Sequence, residues 1–181
     1  MRKSILNTLN SLETQLSKIH PIVDLLEKKS NSSAKELRDW LAETEELFQQ
    51  SNLAEASMFA VKRGELSTYH PDSSQHKRKQ LLQFCSGLLT DAQGDLWKVY
   101  ARLTDTIEKA KVSVKQLLGV IYQTKQFKYD PDTDFTQFIQ EVWQFCTMHE
   151  QLRGITAQIQ SLVNKTDVLL LIAEEIEIEN L

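Results

Sequence analysis

Apolar residues recur every three or four positions along almost the whole chain, and this spacing constrains the fold more than any other feature. Such a period places apolar side chains along one side of an α-helix, whereas a strand would need strict alternation. In the first segment the steps alternate between four and three residues at Ile5, Leu9, Leu12, Leu16, Ile19, Val23 and Leu26. The chain has 5 Gly and 3 Pro among 181 residues, so turns should be few and helices long. We therefore predict an all-α protein.

Local signals divide the first half of the chain into two helical segments. Pro21 lies inside the first stripe and should kink or break that helix, because proline lacks an amide donor. Ser33 and Glu36 have the spacing of a capping box, which predicts the start of the second segment. Asn52 is a second candidate cap that would restart this segment, and we expect the segment to end before Gly64 or shortly after it.

Two longer helices are predicted in the second half of the chain. The third segment runs from about Ser74 to Gln126, about 75 Å at 1.5 Å per residue, and any break should fall at Gly94. Asp132 or Asp134 should cap the fourth segment, which continues for about 65 Å. This pair of helices either projects as a coiled-coil hairpin or folds back near Gly94.

Together the segments predict an elongated up-down antiparallel bundle of about four long helices, because short connections favour antiparallel neighbours. The C-terminal pair should be the longest and coiled-coil-like. We expect residues 1–181 to form one helical-bundle domain. Within it, residues 1–70 would form an N-terminal helical hairpin and residues 71–181 a long C-terminal helical hairpin.

Composition limits the classes of function. Hydrophobic residues make up 41% and charged residues 25% of the chain, which is typical of soluble proteins. The net charge of -4 excludes a generally basic nucleic-acid binder but is compatible with a local basic patch. We expect no membrane span and no signal peptide, because no apolar run is long enough. A cytoplasmic protein with free thiols at Cys85 and Cys146 is therefore predicted.

Charged residues collect at two places where they oppose the helix dipole. The basic cluster, at the predicted start of the third segment, consists of His76, Lys77, Arg78 and Lys79. The acidic end, at the close of the fourth segment, consists of Glu174, Glu175, Glu177 and Glu179. A helix favours anions at its N-terminus and cations at its C-terminus, so each group is unfavourable in its own helix. In an up-down bundle the two groups would share one end of the molecule.

The basic cluster has two interpretations. In the first, it forms surface ion pairs with the acidic end that fix the topology, each worth about 0–1 kcal/mol. In the second, it combines with Lys62 and Arg63 into a docking site for a protein partner or a phosphate-bearing ligand. Neither interpretation requires catalysis.

Arg63 and His70 are spaced as Arg-x6-His. This spacing resembles the Arg-x4–6-His motif of the HEPN ribonucleases, an all-helical family in which the pair acts at a dimer interface. The resemblance implies ribonuclease activity at these two residues. A separate alternative is sequence-independent nucleic-acid binding through the nearby cations Lys62, Arg63, Lys77, Arg78 and Lys79. The match is limited to the pair, and Gly64 stands where the family usually has a polar residue after the arginine.

The remaining reactive residues fit structural roles. His149 lies on an apolar face, and we expect a buried, hydrogen-bonded core histidine. No His-x-x-x-His, Glu-x-x-His or Cys-x-x-Cys spacing occurs, so we expect neither a metal site nor a cofactor. The sequence thus favours a non-enzymatic interaction or regulatory module that binds a protein partner or self-associates through its long apolar faces. A HEPN-like ribonuclease or nucleic-acid-binding protein is the alternative.

Overall fold

The computed structural model describes residues 2–71, 76–125 and 127–181, and it contains no β-strand within those ranges. The prediction of an all-α fold is therefore confirmed. The helices are α1 (Ile5–Ser17), α2 (Ile19–Glu27), α3 (Ser33–Gln50), α4 (Ala56–Thr68), α5 (Lys77–Thr124), α6 (Phe135–Met148), α7 (Arg153–Leu162) and α8 (Lys165–Glu175). Short 3₁₀ turns lie at Glu150–Leu152 and Ile178–Asn180. Ser74 and Gln126, the predicted limits of the third segment, lie outside the described residues.

Three of the four predicted segments contain more than one helix. The first segment consists of α1 and α2, the second of α3 and α4, and the fourth of α6, α7 and α8. The third segment corresponds to α5, which has 48 residues. The up-down order of the bundle and its coiled-coil pairing stay predictions.

The break between α1 and α2 lies just before Pro21, as the sequence predicts. Pro21 cannot donate to the carbonyl oxygen of Ser17, where α1 ends, and its ring would crowd that oxygen. At the other end of α2, Lys29 has a left-handed φ of 52°. The next amide, of Ser30, donates to the Leu25 carbonyl over 2.8 Å and closes the helix in a Schellman arrangement.

A different residue from the predicted one caps α3. Ser33 already lies inside the helix, and its hydroxyl donates to the Ser30 carbonyl over 3.0 Å. The N-cap is Ser32, whose carbonyl accepts from the Glu36 amide over 2.9 Å. The predicted capping box is therefore wrong, because a capping serine must stand outside the helix to reach its free amides.

Asn52 ends α3 and does not start α4. Its φ of 56° is left-handed, and the following amide, of Leu53, donates to the Phe48 carbonyl over 2.8 Å. Asparagine tolerates this conformation better than most side chains do, so it serves as a helix terminator here. The next helix, α4, then continues through Gly64 and ends at Thr68, shortly after this glycine as predicted.

The chain forms two compact units. The N-terminal unit comprises Asn7–Ala101, and the C-terminal unit comprises Met1–Leu6 with Arg102–Leu181. Neither boundary falls in a loop, because one lies within α1 and the other within α5. These two helices therefore contribute residues to both units.

An aromatic cluster forms the centre of the N-terminal unit. The ring of Phe59 lies edge-on to Phe48 at 5.1 Å and to Trp40 at 6.1 Å, which joins α4 to α3. The indole nitrogen of Trp40 donates to the Gln15 carbonyl over 3.0 Å and joins α3 to α1. Burying an aromatic side chain stabilises a fold by about 1.5–3 kcal/mol, so this cluster holds three helices together.

The fourth predicted segment is broken twice. Asp134 caps α6 as predicted, since its carboxylate accepts from the Gln137 amide over 2.9 Å. The backbone is then extended at His149 and again at Val163, where the single long helix was expected to continue. His149 is half-buried, and its Nδ1 has no hydrogen-bond partner among the described residues. The prediction that His149 is a buried, hydrogen-bonded core histidine is therefore wrong.

A buried carboxylate holds the start of the chain in the C-terminal unit. Asp167, on α8, is fully buried and accepts from the Ser4 hydroxyl over 2.5 Å and from the Ile5 amide over 2.8 Å. Its own amide donates to the Asn164 side chain over 2.8 Å. The carboxylate thus supplies an acceptor and a negative charge to the N-terminus of α1, which such a charge stabilises.

Replacing Asp167 with Asn should lower the free energy of unfolding by about 1–3 kcal/mol, because charge-assisted hydrogen bonds to buried donors are weakened. Urea denaturation measures the change. The matched control is Asp105→Asn, which removes an exposed carboxylate paired with Lys109. Equal shifts for the two variants would contradict the role given to Asp167.

The helix α5 passes through Gly94 without interruption. Of the two alternatives that the sequence left open, a break of this helix at Gly94 does not occur, since an internal glycine costs only about 1 kcal/mol relative to alanine and packing easily exceeds that. Leu96 and Val99 next to it are buried. A methyl group at Gly94 would meet no described atom of another element within 4 Å.

Replacing Gly94 with Ala should therefore raise the free energy of unfolding by about 0.5–1 kcal/mol. Replacing the same residue with Pro should lower it by about 3 kcal/mol or more, because the ring removes an internal hydrogen bond. Thermal melts of the two variants test both expectations. A neutral Pro variant would mean that α5 is not helical at this point.

Candidate functional site

A groove of about 960 Å³ lies between α2 and the first turns of α5, within the N-terminal unit. This volume is in the range of about 300–1,000 Å³ that ligand sites occupy. We call it the α2–α5 groove. Its lining residues are Val23, Leu26, Glu27, Lys29, His76, Lys77, Arg78, Lys79, Leu82, Gln83, Ser86, Leu89, Thr90 and Gln93.

The lining separates into an apolar floor and a basic rim. The floor is formed by Val23, Leu26, Leu82 and Leu89. The rim is formed by Lys29 and the whole basic cluster, and Glu27 is the one carboxylate among the described lining residues. All four residues of the basic cluster are exposed. The groove therefore offers apolar contact area beside an excess of positive charge.

Arg78 shows how one cation of the cluster is accommodated. Its guanidinium donates to the carbonyl oxygen of Lys29, directly after the end of α2. A cation is favourable at that place because the C-terminus of a helix carries partial negative charge. Arg78 is thus unfavourable for α5 but favourable for α2, and it fixes the two walls of the groove to each other. Lys77 and Lys79 form no ion pair with any residue between 2 and 71, 76 and 125, or 127 and 181.

The predicted docking residues on α4 have partners inside the N-terminal unit. Lys62 pairs with Asp95 of α5 at 2.9 Å, and both side chains are largely buried. Burial alone would raise the pKa of Asp95, but hydrogen bonds from Lys62 and Lys98 outweigh it and lower the pKa. Lys62 therefore joins α4 to α5 and does not line the groove.

Arg63 and His70 are each engaged elsewhere. The Nε of Arg63 donates to the Glu45 carboxylate over 2.9 Å. The Nδ1 of His70 lies 2.6 Å from the Thr68 carbonyl oxygen, just past the end of α4. The ribonuclease role of Arg63 and His70 stays a prediction.

Two glutamates of the acidic end pair with α5 inside the C-terminal unit. Glu174 contacts Lys111 at 3.0 Å and Glu175 contacts Lys115 at 3.2 Å. The hydrogen bond that Lys111 donates to the Glu174 carboxylate raises the pKa of Lys111. The pairing predicted between the basic cluster and the acidic end would join residues of different units, and it stays a prediction.

Both thiols are free and buried. Burial raises the pKa of Cys146 to about 12 and also raises the pKa of Cys85, where the charge of Arg38 partly opposes it. A thiol reacts as its thiolate, so neither group is activated for nucleophilic chemistry.

Both cysteines should therefore resist a thiol-specific reagent in the folded protein and react quickly once it is unfolded in guanidinium chloride. Absorbance of the released chromophore measures the rate. A Ser57→Cys variant, which places a thiol on an exposed part of α4, is the reactive control. Native reaction of Cys146 at the rate of this control would contradict its burial.

No cluster of three His, Cys, Asp or Glu side chains suited to a metal ion occurs among the described residues. Within the same ranges, no helix combines the length and the apolar character needed to cross a membrane. Comparisons with protein-family models, curated proteins and solved structures found no match to the chain. The arguments for function therefore depend on the geometry of the groove.

One wall of this groove can be predicted from the sequence and the other cannot. The basic cluster is a run of cations at a predicted helix start. Val23 and Leu26 belong to the first apolar stripe, which by itself predicts only a helical face. A tertiary contact between Arg78 and Lys29 joins the two walls, and no local sequence pattern specifies it.

Proposed function

We propose that this protein is a non-enzymatic interaction module whose α2–α5 groove binds an acidic amphipathic helix of another protein. The observation that supports the proposal is an apolar floor bordered by lysines, of which Lys77 and Lys79 lack an ion-pair partner among the described residues. Self-association through the long apolar faces is the competing form of the same proposal.

The shape of the groove suits a helix. On α5 it extends from Lys77 to Gln93, which is about 24 Å at 1.5 Å per residue. A ligand helix of four to five turns has this length. Recognition of an amphipathic helix by an apolar groove relies on ligand side chains at positions i, i+3, i+4 and i+7. The floor residues Leu82 and Leu89 are seven residues apart on α5 and can contact such side chains over two turns.

Charge complementarity favours an acidic ligand. The rim carries Lys29 and the basic cluster against one carboxylate, Glu27. The N-terminus of α5 adds partial positive charge at the same place. Carboxylates of a partner would relieve the repulsion among these cations, and complementary charge also steers association.

Nucleic acid is less well suited to this lining. Proteins that bind single strands stack bases on aromatic side chains. The described lining residues include no Phe, Tyr or Trp. The alternative proposal, a HEPN-like ribonuclease or nucleic-acid-binding protein, remains separately testable. Combined Arg63→Ala and His70→Ala changes would abolish cleavage by such an enzyme and leave helix binding at the groove unchanged.

The test uses a labelled synthetic helix of about 18 residues with a leucine stripe and glutamates confined to one end. Fluorescence anisotropy at low salt should show binding, and combined Lys77→Glu and Lys79→Glu changes should weaken it about tenfold or more. The matched control is Lys3→Glu with Lys128→Glu, which changes the net charge equally at exposed positions.

Equal losses in the two double variants would show that only net charge matters and would overturn the proposal. The proposal would also be overturned if wild-type protein did not bind the peptide. The same holds if wild-type protein bound a single-stranded oligonucleotide more tightly than the peptide and the Lys77 and Lys79 changes abolished that binding. Sedimentation of the protein alone identifies self-association, and a dimer dissociated by these changes would make a second copy the occupant.

A further inference from the structure

The face of α5 that lines the groove continues beyond Gln93 to an exposed tryptophan. Residues on this face alternate in steps of four and three: Lys79, Gln83, Ser86, Thr90, Gln93 and Trp97. Such steps keep side chains on one side of a helix. Trp97 is 49% exposed, whereas Trp40 is 3% and Trp143 is 5% exposed. One tryptophan of this chain thus presents its ring to solvent in line with the groove.

Two contacts of α5, one before and one after Trp97 in the sequence, show which helices lie beside this part of α5. Arg78 meets Lys29 at the C-terminal end of α2, and further along α5 the Tyr100 hydroxyl donates to Glu13 of α1 over 2.7 Å. From Arg78 to Tyr100 on α5, the contacted residue changes from Lys29 back to Glu13. The helix α5 therefore runs antiparallel to α2 and α1. The wall opposite α5 therefore continues from the groove to the level of Tyr100.

The ring of Trp97 is also held in place. It lies 5.4 Å from the Tyr100 ring in an edge-on arrangement, and Tyr100 is fixed by its bond to Glu13. A large aromatic side chain that is ordered and exposed loses little conformational entropy when a partner covers it. Tryptophan is enriched among the residues that contribute most to interface affinity.

We infer that Trp97 is a second anchor for the bound helix, at the end of the groove opposite the basic cluster. This inference rests on the proposed function and defines the partner more narrowly. Lys79 and Trp97 are 18 residues apart in one helix, or about 27 Å. The partner is therefore a helix of at least five turns, with acidic residues at one end and a large apolar side chain near the other.

Two peptides test this arrangement. The short peptide is the groove helix cut to about 14 residues, or about 21 Å, so that it ends before Trp97 when its acidic end lies at the basic cluster. The long peptide is the groove helix of about 18 residues with two further turns, which carry a phenylalanine beyond its neutral end. Trp97→Ala should weaken binding of the long peptide about tenfold and leave the short peptide within twofold of wild type. Trp97→Phe should restore most of the loss. Val61→Ala, an exposed apolar change on α4, is the control.

The outcomes separate this inference from the proposed function. If both peptides bind wild-type protein equally and Trp97→Ala changes neither affinity, the anchor role is wrong and the groove remains the site. If Trp97→Ala weakens both peptides to the same degree, the residue acts on the fold and the inference is again wrong. If neither peptide binds wild-type protein, the proposed function itself fails.

Discussion

One uninterrupted helix of 48 residues supplies core side chains to both units of this protein. Its first half buries Leu96 and Val99 in the N-terminal unit, and its second half buries Val114 and Leu117 in the C-terminal unit. An isolated helix gains little from propensity alone, so α5 depends on this packing for its stability. Ion pairs also join α5 to the shorter helices, through Lys62 and Asp95 in the N-terminal unit and through Lys111 and Glu174 in the C-terminal unit.

The same helix explains why cations stand at an unfavourable helix end. Arg78 bonds the carbonyl oxygen that follows α2, so its charge is stabilised by a neighbouring helix. Lys77 and Lys79 form no ion pair with any described residue. A negatively charged ligand would therefore relieve the repulsion between their charges. Ion pairs such as Lys62 with Asp95 and Lys111 with Glu174 occupy other cations of the chain. The groove thus combines an apolar floor with cations that have no ion-pair partner among the described residues.

Much of the fold could be predicted because its signals are local. The apolar period predicts the helical segments, and the position of Asp134 before an apolar stripe makes it one of two candidate caps. The role of Asn52 differs from the predicted one because its left-handed backbone closes α3. At Gly94 the helix continues because packing exceeds the small cost of a glycine.

The basic half of the candidate site could also be predicted from the sequence. Its apolar half could not, because the contact between Arg78 and Lys29 joins residues far apart in sequence.

The central claim is that the basic cluster, the groove and Trp97 lie on one continuous helical face. Amide hydrogen exchange, resolved by residue in the free protein, tests this claim directly. An unbroken α5 predicts that the amides of Gly94, Asp95 and Lys98 are protected to the same degree as that of Val99. Exchange of Gly94, Asp95 and Lys98 at the rate of an unstructured chain would contradict the claim, because the two ends of the face would then not share one helix.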